Sequence, residues 1–259
     1  MELSLVIPCY NAATFIEERL RVLDGYMQST GLDYELIAVD DGSTDSTADI
    51  LEQLASTEPA LERLRVLRSD KNRGKYGALK RGIDAAQGDC CLFTDADIPY
   101  ELEAIPYMAR LVLDRGIQVV IGDRTLRGAS YRSELNFVRR ILTSLFTLCI
   151  RLFVTSGLWD TQCGLKALRR DVAKRLFPLV HDDGFSGDVE LLYIALTYNL
   201  EIKRVPVRLQ FQAPSSVNSF RDGWRMLIAL FSIRSRSRRG DYRDEELARL
   251  SHQDYWNSN

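Results

Sequence analysis

Short apolar runs and helical patterns alternate strictly through the first half of the chain, and this alternation restricts the fold more than any other feature. The segments "LSLVIP" (3–8), "YELIAVDD" (34–41), "LRVLRS" (64–69), "DCCLFTDAD" (89–97) and "QVVIGD" (118–123) have the length and the Val/Ile/Leu content of strands covered on both faces. Between them, "TFIEERLRVLDGYMQ" (14–28), "STDSTADILEQLA" (43–55), "GKYGALKRGIDAAQG" (74–88) and residues 101–115 carry apolar side chains at helical spacing, the second opening on Ser/Thr/Asp capping residues. Such alternation predicts an α/β fold with a mostly parallel sheet and helices on both faces. Ligands of open sheets of this kind sit beyond the carboxyl ends of the strands, near a topological switch point.

Polar residues gather at those ends: Pro8-Cys9-Tyr10-Asn11, Asp40-Asp41-Gly42-Ser43, Asp95-Ala96-Asp97 and Asp123-Arg124. Asp95 and Asp97 follow an apolar strand directly. Two like charges this close need a counter-charge, and a hard divalent cation that takes its remaining ligands from a phosphate would supply one. The alternative is a solvated turn in which Asp95 caps the helix beginning near Tyr100. In "VDDGSTD" (39–45) a sharp turn and a helix cap account for Gly42 to Asp45. They leave Asp40 and Asp41 in need of a donor-rich partner such as a nucleobase edge or a ribose. "NRGKYGALKRG" (72–82) sets glycines at a helix start, where amides can approach a phosphate, although its spacing suits close helix–sheet packing better.

A formal net charge of −2 over 259 residues gives no reason to expect a nucleic-acid partner. Cys9, Cys90, Cys91, Cys149 and Cys163 are odd in number and form no CxxC pair, and only two histidines accompany them. A zinc site and a disulfide framework are therefore not expected, and a reducing, cytoplasmic compartment is. The N-terminus opens on a strand pattern with no signal peptide, and no apolar run is long enough to span a bilayer.

The second half changes character. Residues 135–159 are strongly apolar but interrupted by Arg139, Arg140 and Arg151, and residues 222–243 repeat the theme with Arg234, Arg236, Arg238 and Arg239. Both suit amphipathic helices lying in a membrane interface with arginines among headgroup phosphates; core helices with solvated ends are the other reading. Residues 236–259 read as a polar tail.

Taken in order, "VIPCYNAATFIEERL", "YELIAVDDGSTDSTADIL", "NRGKYGALKRGIDAAQGD" and "FTDADI" resemble the family-2 glycosyltransferases, nucleotide-sugar enzymes with a GT-A, Rossmann-like fold. "IGDRT" (121–125), "WDTQCGLKALRRDVAKRLF" (159–177) and "GFSGDVELLYIALTYNLEIKRVPV" (184–207) look like the branch that glycosylates polyprenyl or dolichyl phosphate, the dolichyl-phosphate β-glucosyltransferases first and the mannosyltransferases next. The resemblance covers roughly residues 3–235. It implies one GT-A domain over 1–235, with a nucleotide-sugar half (1–124) and an acceptor half (125–235). It assigns Pro8, Tyr10, Asp40 and Asp41 to the base and ribose, and Asp95 and Asp97 to a diphosphate-bound Mg²⁺ or Mn²⁺. Arg124 and Arg139 match arginines that neutralise donor and acceptor phosphates, Gln162 lies in the acceptor motif, and Asp188 with Glu190 would face the sugar. Ile98 and Pro99 stand where some relatives carry a third metal ligand.

The expected reaction is inverting transfer of a hexose from UDP-glucose or GDP-mannose to a polyprenyl (dolichyl or undecaprenyl) phosphate, by an enzyme held peripherally on the inner face of the membrane. A phosphate monoester, with a second pKa of about 6, is already an anionic nucleophile at neutral pH. It needs cations for positioning, and Arg124, Arg139 and Lys166 suit that task. A same-fold rival acting on a glycan hydroxyl would need a carboxylate base, with Asp188 or Glu190 available. The plain reading of those two acids is that the helix N-terminus favours them.

Overall fold

The computed structural model describes residues 1–57, 61–127, 129, 158, 160–184, 186–210 and 219–257. Among them the chain order is β1 (Leu3–Cys9), α1 (Ile16–Gln28), β2 (Tyr34–Asp40), α2 (Thr47–Ser56), β3 (Leu64–Arg68), α3 (Lys75–Ala85), β4 (Cys90–Phe93), α4 (Ala104–Arg115) and β5 (Val119–Asp123). There follow β6 (Lys166–Arg169), α5 (Arg170–Leu179), α6 (Gly187–Thr197), β7 (Ile202–Pro206), α7 (Ser219–Arg239) and α8 (Glu245–Asn257). The five strands and four helices expected in the first half are all present.

The seven strands form one sheet in the order β3-β2-β1-β4-β6-β5-β7. All neighbours are parallel except β6, which runs antiparallel to both β4 and β5. The mostly parallel α/β sheet is therefore as expected, with β6 and β7 added from the second half. β6 escapes strand patterning because its four residues include Lys166, an unlikely-looking member of a buried strand until its ion partner is seen.

Alternation along β1 divides the core. Leu3, Leu5 and Ile7 face Leu20, Leu23 and Met27 of α1 and Ile105 and Met108 of α4. Val6 faces Leu79 of α3, joined by Leu176 of α5, Leu191 of α6, and Leu230 and Ile233 of α7. Helices thus cover both faces, as continuous apolar strands require. On the second face Tyr76 stacks on Phe177 with centroids 5.9 Å apart, and Phe93 meets Phe177 edge-on at 5.8 Å. These rings fix the floor under the strand ends.

The segment read as a polar tail is partly built into that core. The expected division at residue 235 falls within α7, and Leu247 of α8 and Tyr242 are buried. Tyr198 Oη donates to the Tyr242 carbonyl at 2.7 Å, and the Asp244 amide donates back to Tyr198 Oη at 2.6 Å. A few well-placed apolar residues dock this segment despite its polar composition. No helix of the described residues is long and apolar enough to cross a membrane.

Candidate active site

β1 lies between β2 and β4, so the connections leave it in opposite directions and open a crevice at its carboxyl end. Pro8, one residue before the end of β1, is in register with Val39, and Tyr10 stands 47% exposed at the rim. The loops after β1 and β2 are tied together. Asn11, at φ 49°, donates its amide to Ser43 Oγ (3.0 Å) and accepts the Thr44 amide on Oδ1 (2.9 Å). The Ala12 amide donates to Thr47 Oγ1 at 2.8 Å. Asp45 accepts the Thr47 hydroxyl and amide and the Ala13 amide; against the upward pull of burial, these hold its carboxyl below the usual range.

The paired acids after β2 have different surroundings. Asp41 accepts the Arg73 and Gly74 amides (3.0 and 2.8 Å), so it organises the turn that starts α3. Burial raises its pKa, with those amides opposing. Asp40 is fully buried. Its Oδ1 accepts the Ser43 amide at 3.2 Å, while Oδ2 has no hydrogen-bond partner and lies 4.0 Å from Arg68 Nε. A buried carboxylate oxygen with no hydrogen-bond donor is costly.

Asp95 and Asp97 occupy the turn after β4. The turn closes with the Ile98 amide donating to the Asp95 carbonyl at 3.0 Å, and Ile98 sits at φ 44°. A β-branched residue in the left-handed region is strained, and burial of the Ile98 side chain in the core holds it there. The Asp95 carboxylate lies against Gly164, where any Cβ would overlap it. Tyr100 Oη accepts the Gly164 amide at 2.9 Å and fixes that approach. Two carboxylates in one turn offer the hard oxygen donors that Mg²⁺ and Mn²⁺ take. Among the described residues no group of three or more acidic, His or Cys side chains could hold a metal ion, so phosphate oxygens and water would complete the shell.

Lys75, the first residue of α3, places Nζ 2.7 Å from Asp95 Oδ1 and 3.5 Å from Asp188 Oδ2. Asp188, in the first turn of α6, is buried, and its Oδ1 accepts from Tyr76 Oη (2.9 Å) and from Lys166 Nζ. Lys166 also donates to the Cys163 carbonyl at 2.6 Å. Burial works against ionisation of Asp188, but the Lys166 and Lys75 ammoniums and their hydrogen bonds hold its carboxyl below the usual range. The same carboxylates raise Lys75 in spite of its burial.

On the other side of the crevice Arg124 grips Asp160, with Nε and Nη2 donating at 2.7 and 2.8 Å to the two carboxylate oxygens and the amide donating at 2.9 Å. Gln162 is exposed in the turn that follows. Asp123 pairs with Arg204 Nε at 2.7 Å.

The structure therefore brings Pro8, Tyr10, Asp40, Asp95, Asp97, Arg124, Gln162 and Asp188 to strand or helix ends along one rim. Lys166 does not reach it: its side chain is 0% exposed, so it touches no acceptor directly and acts on Asp188 instead. Glu190 is turned away from Asp188, because two residues on a helix are about 200° apart. It accepts the His181 and Asp182 amides, Arg236 Nη1 and Tyr242 Oη, and so anchors α7 and α8 rather than facing a sugar. Arg139, with Arg140, Arg151 and the rest of 135–157, lies outside the described residues.

Sequence reading passed over Lys75, Tyr76 and Asp160. A signal for Lys75 existed: a cation in the first turn of a helix opposes the macrodipole and needs nearby acids.

The family model described as "Glycosyl transferase family 2" matches residues 4–177. A dolichyl-phosphate beta-glucosyltransferase of Dictyostelium discoideum is 31% identical over 90% of this chain and 74% of its own. One from Drosophila melanogaster is 34% identical over 80% and 67% respectively. Among solved structures, glucosyl-3-phosphoglycerate synthase from Mycobacterium tuberculosis in complex with UDP superposes with a TM-score of 0.64, at 23% identity, over 90% of this chain and 79% of that one. The same enzyme with Mn²⁺, UDP and glucosyl-3-phosphoglycerate gives 0.61 at 24% identity, over 89% and 78%. With the family model spanning β1 through α5, including the paired acids after β2 and the DxD after β4, this chain belongs to glycosyl transferase family 2 and is a GT-A glycosyltransferase.

Proposed function

We propose that the chain transfers a hexose, with inversion, from UDP-glucose or GDP-mannose to a polyprenyl (dolichyl or undecaprenyl) phosphate at the cytoplasmic surface of a membrane. One observation carries this reading over the hydroxyl-acceptor alternative. Asp188 is engaged by two ammoniums and a phenol and held in its ionised form, so it is a poor base for a sugar hydroxyl. A phosphate acceptor is already an anion and needs none. The Dictyostelium and Drosophila relatives, both dolichyl-phosphate beta-glucosyltransferases, favour glucose and dolichyl phosphate.

In this reading residues 1–124 take the nucleotide sugar and residues 125–235 serve the acceptor. Pro8, Tyr10, Asp40 and Asp41 serve the base and ribose, with Asp41 also shaping the adjoining turn. Asp95 and Asp97 hold Mg²⁺ or Mn²⁺. Bound there, the cation supplies Lewis-acid stabilisation of the departing nucleoside diphosphate. The acceptor phosphate oxygen forms its bond to the anomeric carbon as the carbon–oxygen bond to the diphosphate breaks, and the electron pair leaves with the diphosphate. Arg124, kept in place by Asp160, presents its charge to the meeting anions together with Arg139, and Gln162 lies on the acceptor side.

In the same reading the outer face of α7 is the membrane-docking surface. Ile228 and Phe231 are 62% and 73% exposed, Arg234 and Arg238 continue the stripe, and Leu230 and Ile233 anchor the opposite face in the core. Apolar residues leading into arginines suit an interface rich in anionic headgroups.

The test is direct. The protein is incubated with UDP-glucose or GDP-mannose and dolichyl or undecaprenyl phosphate, with Mg²⁺, Mn²⁺ or EDTA, and lipids are separated by chromatography. A glycosylated lipid phosphate that forms only with the divalent cation is expected. Transfer to a glycan hydroxyl with none to lipid phosphate overturns the proposal.

A further inference from the structure

Lys166 and Asp188 form an ion pair completely enclosed beneath the DxD turn, on β6 and α6, 22 residues apart in the chain. Such pairs are poor stabilisers, because desolvation consumes most of the attraction and apolar replacements of the same volume are often neutral or better. A buried pair next to a reacting centre therefore calls for a reason in geometry.

The hydrogen bonds supply one. Asp188 Oδ1 is occupied by two donors, Lys166 Nζ and Tyr76 Oη. Oδ2 is left to Lys75, at 3.5 Å, while the same ammonium lies 2.7 Å from Asp95. Lys75 is thus divided unequally, close to the DxD and loosely tethered to Asp188. With Lys166 absent, Lys75 would be the one ammonium facing an enclosed Asp188 carboxylate, and at such distances in a low-dielectric interior that attraction is large. The Lys75 ammonium would then move toward Asp188 and away from Asp95. The frame is stiff enough to enforce the division. Tyr76 is locked by its stack on Phe177, Lys166 Nζ lies 5.6 Å from the Phe93 ring, and its remaining reach is taken by the Cys163 carbonyl.

We propose that the Lys166–Asp188 pair is a positioning device that sets the Lys75 ammonium against Asp95, where it meets the donor diphosphate. Lys166 and Asp188 are positioning residues, acting through Lys75 and touching neither donor nor acceptor. The proposal rests on the donor-site reading above.

The test is a thermodynamic cycle read by calorimetric binding of UDP and GDP in Mg²⁺. Lys166→Met leaves Lys75 as the one ammonium facing Asp188 and is compared in the unaltered and Lys75→Met backgrounds. Where Lys75 is present the substitution weakens binding roughly tenfold; in the Lys75→Met background it changes binding by less than about twofold, the signature of a residue acting through a third. Tyr76→Phe, a milder change to the same Oδ1, gives a loss of about threefold that also disappears with Lys75→Met, and it carries the test should Lys166→Met fail to fold. Equal losses in both backgrounds, or no loss in either, overturn the positioning role alone. Failure of the unaltered protein to bind either diphosphate overturns the donor-site reading, and the positioning role with it.

Discussion

Arg124 and Asp160 meet fork to fork on one side of the crevice, with two side-chain bonds of 2.7 and 2.8 Å and a third from the Arg124 amide. The pair joins the end of β5 to the turn that precedes β6, so a single contact fixes both the guanidinium and the loop carrying Gln162 and Gly164. Asp160→Asn keeps the amide bond but loses the ionic fork. It should cost about 2 kcal/mol in urea unfolding and lower kcat/KM by freeing Arg124. Wild-type stability with reduced activity would separate the two roles.

The same pair sets part of the acid limb of stability. Against the pull of burial, the Arg124 guanidinium holds the Asp160 carboxyl below the usual range. The unfolded chain therefore takes up its proton first as pH falls. The stabilisation is complete above the ordinary carboxylate pKa of about 3.9 and is lost progressively below it. Denaturation midpoints measured from pH 6 down to pH 2 should fall less steeply for Asp160→Asn than for the wild type.

Asp188→Asn leaves Lys166 enclosed without its counter-ion. A loss of about 3–5 kcal/mol is expected for breaking a buried pair from one side. The combined Lys166→Met/Asp188→Asn protein should recover a large part of that loss, a coupling that denaturant unfolding of the single and double variants measures.

Gly164→Ala addresses the DxD without altering a carboxylate. The new Cβ would overlap the Asp95 side chain, which must turn out of the position it shares with Lys75. Cation-dependent activity should fall by about a hundredfold or more, as for Asp95→Asn and Asp97→Asn, because Lewis-acid stabilisation is worth several kcal/mol. Electron paramagnetic resonance of Mn²⁺ with UDP should show weaker metal binding in all three variants.

The extent to which these features can be read from the chain follows from where the physics is local. The β–α alternation, the DxD and the acids after β2 are contiguous patterns, and period and turn chemistry expose them directly. Asp188 stands out in the sequence as a candidate acid, but its surroundings do not: Lys75, Lys166 and Tyr76 arrive from α3 and β6 through non-local pairing. Lys166 read as an acceptor-binding cation because charge alone says nothing of burial. Glu190 read as a partner of Asp188 because proximity in sequence hides the turn of a helix. Likewise the polar composition of residues 241–259 concealed the docking of Tyr242 and Leu247, which depends on single side chains meeting a groove formed by elements far away in the chain.

Membrane docking supplies the last prediction. Phe231 stands 73% exposed beside Ile228 on a helix whose opposite face is buried, and a water-exposed aromatic gains about 1.5–3 kcal/mol on full burial. Interfacial insertion is shallower, so Phe231→Ser should weaken partition onto liposomes by about tenfold, near the low end of that range. Co-sedimentation with vesicles containing anionic lipid should fall further as salt is raised, because the arginines of α7 act through screened charge. Arg238→Gln should flatten the salt dependence, while Phe231→Ser should lower binding at every salt concentration and leave the slope unchanged. Binding that responds to neither substitution would remove α7 from the docking surface and leave the arginines of 135–159 to provide it.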